Sequence, residues 1–286
     1  MSRTAAGRHG GGKTARPFDP RQSMHRQDFE IFHYHDPKMQ EVPLHDHDFY
    51  EIYDFLGGNV EYLAEGGSYR LLPEDILLIR PGVLHRPKVA PGEAYERIVL
   101  WIDASYLEGI DGDGEVRRMF GGPGGMLLHG AGAGVSQLMR HLAGEFYADD
   151  AGSGLLSRGL FYQVMAELVR LSGKSGGVEE ATEDLPLAER VMEYLSVHYR
   201  EEISLDVLAE RFYVSKYHLS HEFRKSAGTG VYRFILLKRL QHARQLILSG
   251  AGPGDASRES GFIDYANFYR SFRAVYGISP KDAAQA

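Results

Sequence analysis

The residues best suited to chemistry lie in the stretch PLHDHDFYEIYDF, where one residue separates His45 from His47 and Glu51 follows four positions later. Side chains alternate between the two faces of a β-strand, so an unbroken strand would place His45, His47, Glu51 and Tyr53 on one face. Imidazole nitrogens and carboxylate oxygens bind divalent transition-metal ions. The same groups also line polar pockets, so the spacing predicts either a metal site or a polar ligand site.

The last hundred residues contain a sequence repeat. The segment VSKYHLSHEFRKSAG is followed 49 residues later by IDYANFYRSFRAVYG, which has polar and apolar residues at matching positions. Each copy follows a short helical segment and a break, a pattern typical of a helix-turn-helix. The matched pairs are Ser215 with Asp264, Leu219 with Phe268, Phe223 with Phe272, Arg224 with Arg273 and Gly228 with Gly277.

The second helix of each unit carries groups that can contact DNA. Arg can bridge guanine, Asn can pair with adenine, and Tyr and Ser hydroxyls can hold phosphates. We therefore predict that both helices enter the major groove. The predicted DNA-binding residues are Ser215, Lys216, Tyr217, Ser220, His221, Arg224 and Lys225 in the first unit, and Tyr265, Asn267, Tyr269, Arg270 and Arg273 in the second.

The elements that position these groups differ between the two ends of the chain. Residues 29–103 contain short apolar or alternating runs broken by Gly, Pro and Asn, which predict an all-β sandwich or small barrel. Apolar residues at helical spacing predict two helices, at about 134–148 and 155–171. A stretch rich in Gly, Ser and acids then predicts a linker, and the remaining sequence is helical throughout.

Composition limits the classes of protein to consider. The chain has 286 residues and no cysteine, which excludes disulfides and thiolate chemistry and fits a cytoplasmic location. It has no run of about 18 apolar residues, so we expect no membrane partner. Residues 1–22 carry five Lys or Arg and one Asp and predict a disordered basic arm. Residues 23–184 have 13 basic and 27 acidic residues, against 14 and 11 in residues 185–286. This asymmetry favours polyanion binding by the C-terminal part.

Residues 185–284 resemble the DNA-binding domain of AraC/XylS-type bacterial transcription regulators. The resemblance rests on the tandem repeat, the helix segment RLQHARQLIL, Gly261 and Phe262, and the terminal GISP. It implies a cupin-like N-terminal barrel, and "PEDILLIRPGVLH" ending at His85 follows the order of the second cupin motif. It also implies a homodimer that contacts double-stranded DNA and RNA polymerase, most often as an activator.

Two features depart from the family pattern. His221 stands where an arginine is usual, which puts one phosphate or base contact in question. The helix before the second recognition helix has Pro253, Ala256, Ser257 and Ser260 at positions that are usually apolar. We therefore expect a weakly packed second unit that orders on DNA.

These observations predict a two-domain transcription regulator and no enzyme. The predicted parts are the arm at 1–22, a cupin-like sensor at 23–110, a helical dimerisation segment at 111–172, a linker at 173–184 and the tandem helix-turn-helix domain at 185–284. A carbohydrate or related metabolite would bind at His45, His47, Glu51, Tyr53 and His85, with no cofactor required. A divalent metal at this cluster, as a sensed ion or in a cupin enzyme, and an effector-free regulator are the alternatives. We interpret Trp101 as a core residue.

Overall fold

Two antiparallel β-sheets form the N-terminal part of the computed structural model, which describes residues 15–19, 21, 23–38, 41–65, 67–121, 126–130, 133–174 and 185–284. The strands are β1 (Phe29–Asp36), β2 (Tyr50–Gly57), β3 (Val60–Ala64), β4 (Gly67–Arg70), β5 (Ile76–Ile79), β6 (His85–Val89), β7 (Tyr95–Ile102) and β8 (Met126–Leu128). The strand order is β1-β7-β2-β5-β8 in one sheet and β4-β3-β6 in the other. This confirms the predicted β-rich domain.

Strand β7 shows how alternation builds two cores. Ile98 and Leu100 face the helices that cover the five-stranded sheet, whereas Val99 and Trp101 face the space between the two sheets. Both faces of this strand are covered, so its sequence YERIVLWI is apolar on both faces. The space between the sheets is filled mainly by aromatic side chains.

The helices that cover the five-stranded sheet are α1 (Ala104–Ile110), α2 (Glu115–Met119), α3 (Ala133–Phe146) and α4 (Ser153–Lys174). Phe161 of α4 stacks on Phe29 of β1, with ring centroids 4.6 Å apart. Helices α3 and α4 match the two predicted helices within a few residues. Strand β8 was not predicted, because it is a three-residue segment next to a Gly-rich stretch.

The prediction of a disordered arm is wrong for the described residues between 15 and 21, and residues 1–14 lie outside the described part. Arg16 pairs with β1 through the backbone: its N–H donates to the carbonyl of His33, and its carbonyl accepts from the N–H of His35. Phe18 packs edge-on against Tyr34. Arg21 adds an ion pair with Glu30. These contacts could not be predicted from the sequence because they are made by single residues without a periodic pattern.

Helices form the C-terminal part, as predicted. The two helix-turn-helix units share one long helix, α8, between them, and Phe223 and Phe272 are fully buried in the respective units. Residues 175–184, most of the predicted linker, lie outside the described residues. The helices are α5 (Leu187–His198), α6 (Leu205–Arg211), α7 (Lys216–Ala227), α8 (Val231–Leu248), α9 (Pro253–Glu259), α10 (Tyr265–Tyr276) and α11 (Pro280–Ala283). In the described chain, no helix combines the length and apolarity that crossing a membrane requires.

The second unit departs from the expectation of weak packing. Ala256 and Ser260 are fully buried, and Ala256 packs in one cluster with Leu240, Phe268 and Phe272. Small residues on α9 allow the helix to approach α8 closely, so the missing large side chains leave a packed helix.

Candidate ligand site and nucleic-acid interface

The structure brings the predicted histidines and glutamate together inside the β-domain. His45 and His47 precede β2, Glu51 lies on β2, and His85 begins β6. His45 and His85 exchange two backbone hydrogen bonds, which hold the segment before β2 against β6. The ring centroid of His85 lies 4.4 Å from the ring centroid of His45 and 4.8 Å from that of His47. One donor atom each from His47, Glu51 and His85 lies within 4.8 Å of the other two.

All three imidazoles are oriented by the same kind of backbone contact. The Nδ1 atoms of His45, His47 and His85 donate to the carbonyls of residues 43, 49 and 83 at 2.8, 2.9 and 2.8 Å. Each Nδ1 therefore carries a proton, because a carbonyl oxygen can only accept. The Nε2 atoms of His47 and His85 are buried and have no hydrogen-bond partner among the described residues.

The charges at this cluster follow from its burial. Burial raises the pKa of Glu51, but the contact with His47 and the electrostatic influence of His85 and His45 outweigh it and lower the pKa to about 2. Burial lowers the pKa of His45 to about 4 and that of His85 well below its usual range. At neutral pH, one carboxylate therefore faces the neutral rings of His45 and His85. Trp101 Nε1 donates to Glu51 Oε2 at 2.8 Å, and the Tyr62 hydroxyl lies 3.4 Å from Oε1.

A small cavity adjoins this cluster. Its volume is about 40 Å³, which holds one or two water-sized groups. The hydroxyls of Tyr34, Tyr53 and Tyr95 are buried without a hydrogen-bond partner in the described chain. The lining residues are Phe18, Tyr34, Val42, His45, Glu51, Tyr53, Tyr62, Pro87, Tyr95, Arg97, Val99 and Trp101.

Several of these lining residues were missed by the sequence analysis. Tyr95, Arg97 and Trp101 share one face of β7 with Val99, so alternation could have placed all of them inside the domain. Trp101 is buried in the core, as interpreted, and its indole N–H also donates to Glu51. Tyr34 and Tyr62 lie on other strands and carried no spacing signal.

A wider cleft separates the β-domain from the helical domain. Its volume is about 1010 Å³, and His45, His47 and Asp48 lie on one side while Arg233 and Arg244 lie on the other. His45 borders both the cleft and the small cavity. A ligand too large for the cavity could therefore still contact the histidine cluster from the cleft.

The two predicted recognition helices have matching ends. Ser215 caps α7 by accepting from the N–H of His218, and Asp264 caps α10 by accepting from the N–H of Ala266 and Asn267. Both helices have 12 residues, and each ends at a glycine in the left-handed conformation. Of the predicted DNA-binding residues, Ser220 is half-buried and all the others are exposed. His221 lies parallel to Tyr217, with ring centroids 6.3 Å apart.

Contacts across the domain boundary begin next to the histidine cluster. Glu65 accepts from the Ser196 hydroxyl and pairs with Lys238 Nζ, both at 2.7 Å. Asp48, next to His47, pairs with Arg244 of α8. The Arg86 guanidinium, next to His85, lies against Gly228 at the end of α7. Polar contacts to the helical domain thus come from neighbours of two cluster histidines.

Comparison with known proteins gives two matching family models. A model described as "AraC-like ligand binding domain" matches residues 28–165, and one described as "Helix-turn-helix domain" matches residues 208–286. The uncharacterized HTH-type transcriptional regulator YbfI of Bacillus subtilis is 27% identical over 234 residues, which cover 80% of this chain and 82% of that protein. An HTH-type regulator of Staphylococcus aureus, SACOL0084, is 25% identical over 51% of this chain but only 20% of its own length.

Solved structures also show similarity. ToxT from Vibrio cholerae, bound to (E)-4-(8-methylnaphthalen-1-yl)but-3-enoic acid, is 16% identical, covers 90% of this chain and 98% of its own, and has a TM-score of 0.39. The C-terminal domain of AraT, a response regulator from Geobacillus stearothermophilus, is 22% identical over 36% of this chain and 88% of its own, with a TM-score of 0.34.

Proposed function

The chain belongs to the AraC family of transcriptional regulators, with a ligand-binding domain followed by a helix-turn-helix DNA-binding domain, and we propose that it binds duplex DNA through α7 and α10. The family and the relatives are transcriptional regulators, not enzymes. The proposed boundaries remain 23–110 for the sensor, 111–172 for the dimerisation segment and 185–284 for the DNA-binding domain.

The observation that carries this proposal is the duplicated, exposed recognition face. Helices α7 and α10 have equal lengths and side-chain caps, and Leu219 and Phe268 are fully buried at equivalent positions. The opposite faces display Arg224 and Arg270 to solvent. A helix that buries one face and exposes basic and amide groups on the other suits the major groove.

The DNA-binding proposal is tested with a duplex selected from a random pool by the full chain. Arg224→Ala and Arg270→Ala should each weaken binding about 5- to 100-fold if the guanidinium contacts a base. If it contacts a phosphate, the slope of the logarithm of the binding constant against the logarithm of salt concentration should fall in magnitude by about one. Arg170→Ala, at an exposed position of α4, removes the same charge and should leave affinity unchanged. If neither recognition-helix variant weakens binding, the proposed faces are wrong.

We also propose that the N-terminal domain senses a small polar molecule at His45, His47, Glu51, Tyr53 and His85. The buried hydroxyls and imidazole nitrogens without partners support a polar ligand. A free sugar exceeds the cavity of about 40 Å³, so a carbohydrate effector would instead occupy the cleft of about 1010 Å³. A ligand that raises the melting temperature without being consumed would support sensing.

The proposed route from ligand to DNA follows adjacent residues. His47 and His85 face the cluster, whereas Asp48 and Arg86 contact the helical domain. A ligand that shifts either histidine would shift its neighbour, and with it the docking of α7 and α8. The ligand would thereby change the relative presentation of the two DNA-binding units.

The remaining parts of the proposal are a cytoplasmic homodimer that contacts RNA polymerase and activates transcription. Leu155, Leu156 and Tyr162 of α4 are large apolar side chains exposed to solvent, which supports a dimer contact on this helix. The activator role rests on the family resemblance. A reporter gene placed behind the selected duplex gives the sign of regulation.

A further inference from the structure

We propose that His47, His85 and Glu51 bind a single divalent transition-metal ion inside the N-terminal domain. The proposal deepens the proposed function by naming the ligand class of the same site. Its regulatory meaning rests on that function, whereas ion binding can be measured without DNA.

Three donor atoms converge at this point. Glu51 Oε2 lies 3.4 Å from His47 Nε2, about the separation of two donors that are each 2.0–2.2 Å from a tetrahedral ion. The donor atoms of all three residues lie within 4.8 Å of one another. Small rotations of the side chains would bring them to bonding distance of one ion.

The hydrogen bonds around the cluster hold the ligands as a metal site requires. A metal-binding histidine usually donates its other ring N–H to a backbone carbonyl or a carboxylate, which fixes the ring and its tautomer. His47 and His85 donate Nδ1–H to the carbonyls of Phe49 and Val83. Trp101 in turn donates to the Glu51 carboxylate. The ligands and their supporting contacts are thus both present.

The cluster also contains buried ring nitrogens without hydrogen-bond partners, which an ion would bind. The Nε2 atoms of His47 and His85 have no hydrogen-bond partner among the described residues, and both rings are buried. A proton shared between His47 and Glu51 would satisfy one ring and leave His85 Nε2 unpaired. A cation between the three residues satisfies both rings and balances the buried carboxylate.

The donor set selects the kind of ion. Two imidazole nitrogens and one carboxylate favour Zn²⁺, Fe²⁺, Co²⁺ or Ni²⁺. Ca²⁺ and Mg²⁺ require oxygen ligands, of which Glu51 is the only side chain in this cluster. The adjoining cavity of about 40 Å³ has room for a water or another small ligand on the ion.

The test uses the full chain, purified without a histidine tag, stripped with a chelator and titrated with Zn²⁺. Elemental analysis should find one zinc per chain, and the melting temperature should rise by about 5–10 °C at hundredfold excess over Kd. Glu51→Gln and His85→Gln should lose the zinc and the shift. His141→Gln, an exposed histidine on α3, should retain both.

A second readout does not depend on the variants folding. Co²⁺ added to the stripped protein should give the visible absorption of a cobalt ion with nitrogen ligands, and Zn²⁺ should displace it. The proposal is overturned if the folded protein binds neither ion, or if Glu51→Gln binds as much zinc as His141→Gln. DNA binding that persists when no ion binds would leave the proposed function standing, so the two failures are distinguishable.

Discussion

Asp54 on β2 is a carboxyl group that the fold buries without a charged hydrogen-bond partner. Its Oδ1 accepts from the Ser136 hydroxyl of α3 at 2.7 Å, and its side chain is not exposed to solvent. Burial raises the pKa to about 6, although the Ser136 hydrogen bond and Arg140 act in the opposite direction. The folded domain therefore holds a proton that the unfolded chain releases.

This burial predicts stability that falls as the pH rises. Unfolded aspartate has a pKa of about 3.9, so between about pH 4 and 6 the native state binds more protons than the unfolded state. The contribution of protonated Asp54 to the free energy of unfolding is complete below about pH 4 and is lost as the pH rises through about 6. Asp54→Asn should raise the free energy of unfolding by about 1–3 kcal/mol at pH 7.5 and flatten its pH profile.

Urea unfolding of the full chain at pH 4.5, 6 and 7.5 measures this effect. Asp150→Asn, at an exposed aspartate, is the control and should leave the profile unchanged. A stability profile that is equally steep in Asp54→Asn and the unchanged chain would show that Asp54 does not hold the proton.

The candidate ligand site was partly predictable at this scale. Alternation and motif order placed Glu51 and the histidines near one another. The sequence did not predict that His45 and His47 precede β2, held by backbone pairing with His85. Trp101 was classed as core because an indole in an apolar strand fits a core equally well, and only the fold shows its contact with Glu51.

At the scale of elements, the two proposed recognition helices end alike but in different surroundings. Gly228 has φ +67° and Gly277 has φ +75°, a conformation that costs other residues about 1–2 kcal/mol. A Cβ on Gly228 would overlap the Arg86 guanidinium, whereas one on Gly277 would meet nothing within 4 Å. The repeat thus supplies its own matched control.

Gly277→Ala should lower the free energy of unfolding by about 1 kcal/mol through backbone strain alone. Gly228→Ala should cost about 1 kcal/mol more, because the buried guanidinium must move. In an Arg86→Ala background the two substitutions should cost the same. If Gly228→Ala and Gly277→Ala cost the same free energy of unfolding in the chain that keeps Arg86, then Arg86 does not contact the end of α7.

The element pattern was largely predictable where periodicity was long. Helices α3, α4, α7 and α10 follow clear apolar spacing, so the pattern of residues within each helix is enough to predict it. The second unit was misjudged because Ala256 and Ser260 lack the large apolar side chains that normally signal a packed helix. Their burial depends on the close approach of α9 to α8, which is a tertiary property.

At the scale of the whole molecule, the β-domain docks on the helical domain through apolar and charged contacts. Leu44, Leu63 and Leu84 share one buried cluster with Val191 and Leu195 of α5. Beside this cluster, the charged ends of Glu65 and Lys238 meet at 2.7 Å with little exposure of either side chain. Such a buried pair couples the two domains more strongly than a surface pair would.

A double-mutant cycle measures this coupling. Glu65→Gln, Lys238→Met and the double variant should give a coupling energy of about 1–3 kcal/mol. Glu61 of β3 and Lys88 of β6 form a pair at the same 2.7 Å, but nearly half of each side chain is exposed, and their cycle should give less than about 1 kcal/mol. Equal coupling in the two cycles would mean that solvent screens the domain contact as fully as the surface pair.

This docking could not be predicted from the sequence. Glu65, Asp48 and Arg86 stand in segments whose periodicity describes only their own domain, and their partners lie more than a hundred residues away. The tandem repeat predicted the two units because both copies are local. Domain contact depends on surface complementarity, which periodicity does not encode.

The most direct test of the central claim is a hydroxyl-radical footprint of the full chain on the selected duplex. Two recognition helices predict two protected segments on one face of the DNA, about 10 base pairs apart. Arg224→Ala should weaken protection of one segment and Arg270→Ala that of the other. A single protected segment, or a footprint that neither variant alters, would contradict DNA recognition by α7 and α10.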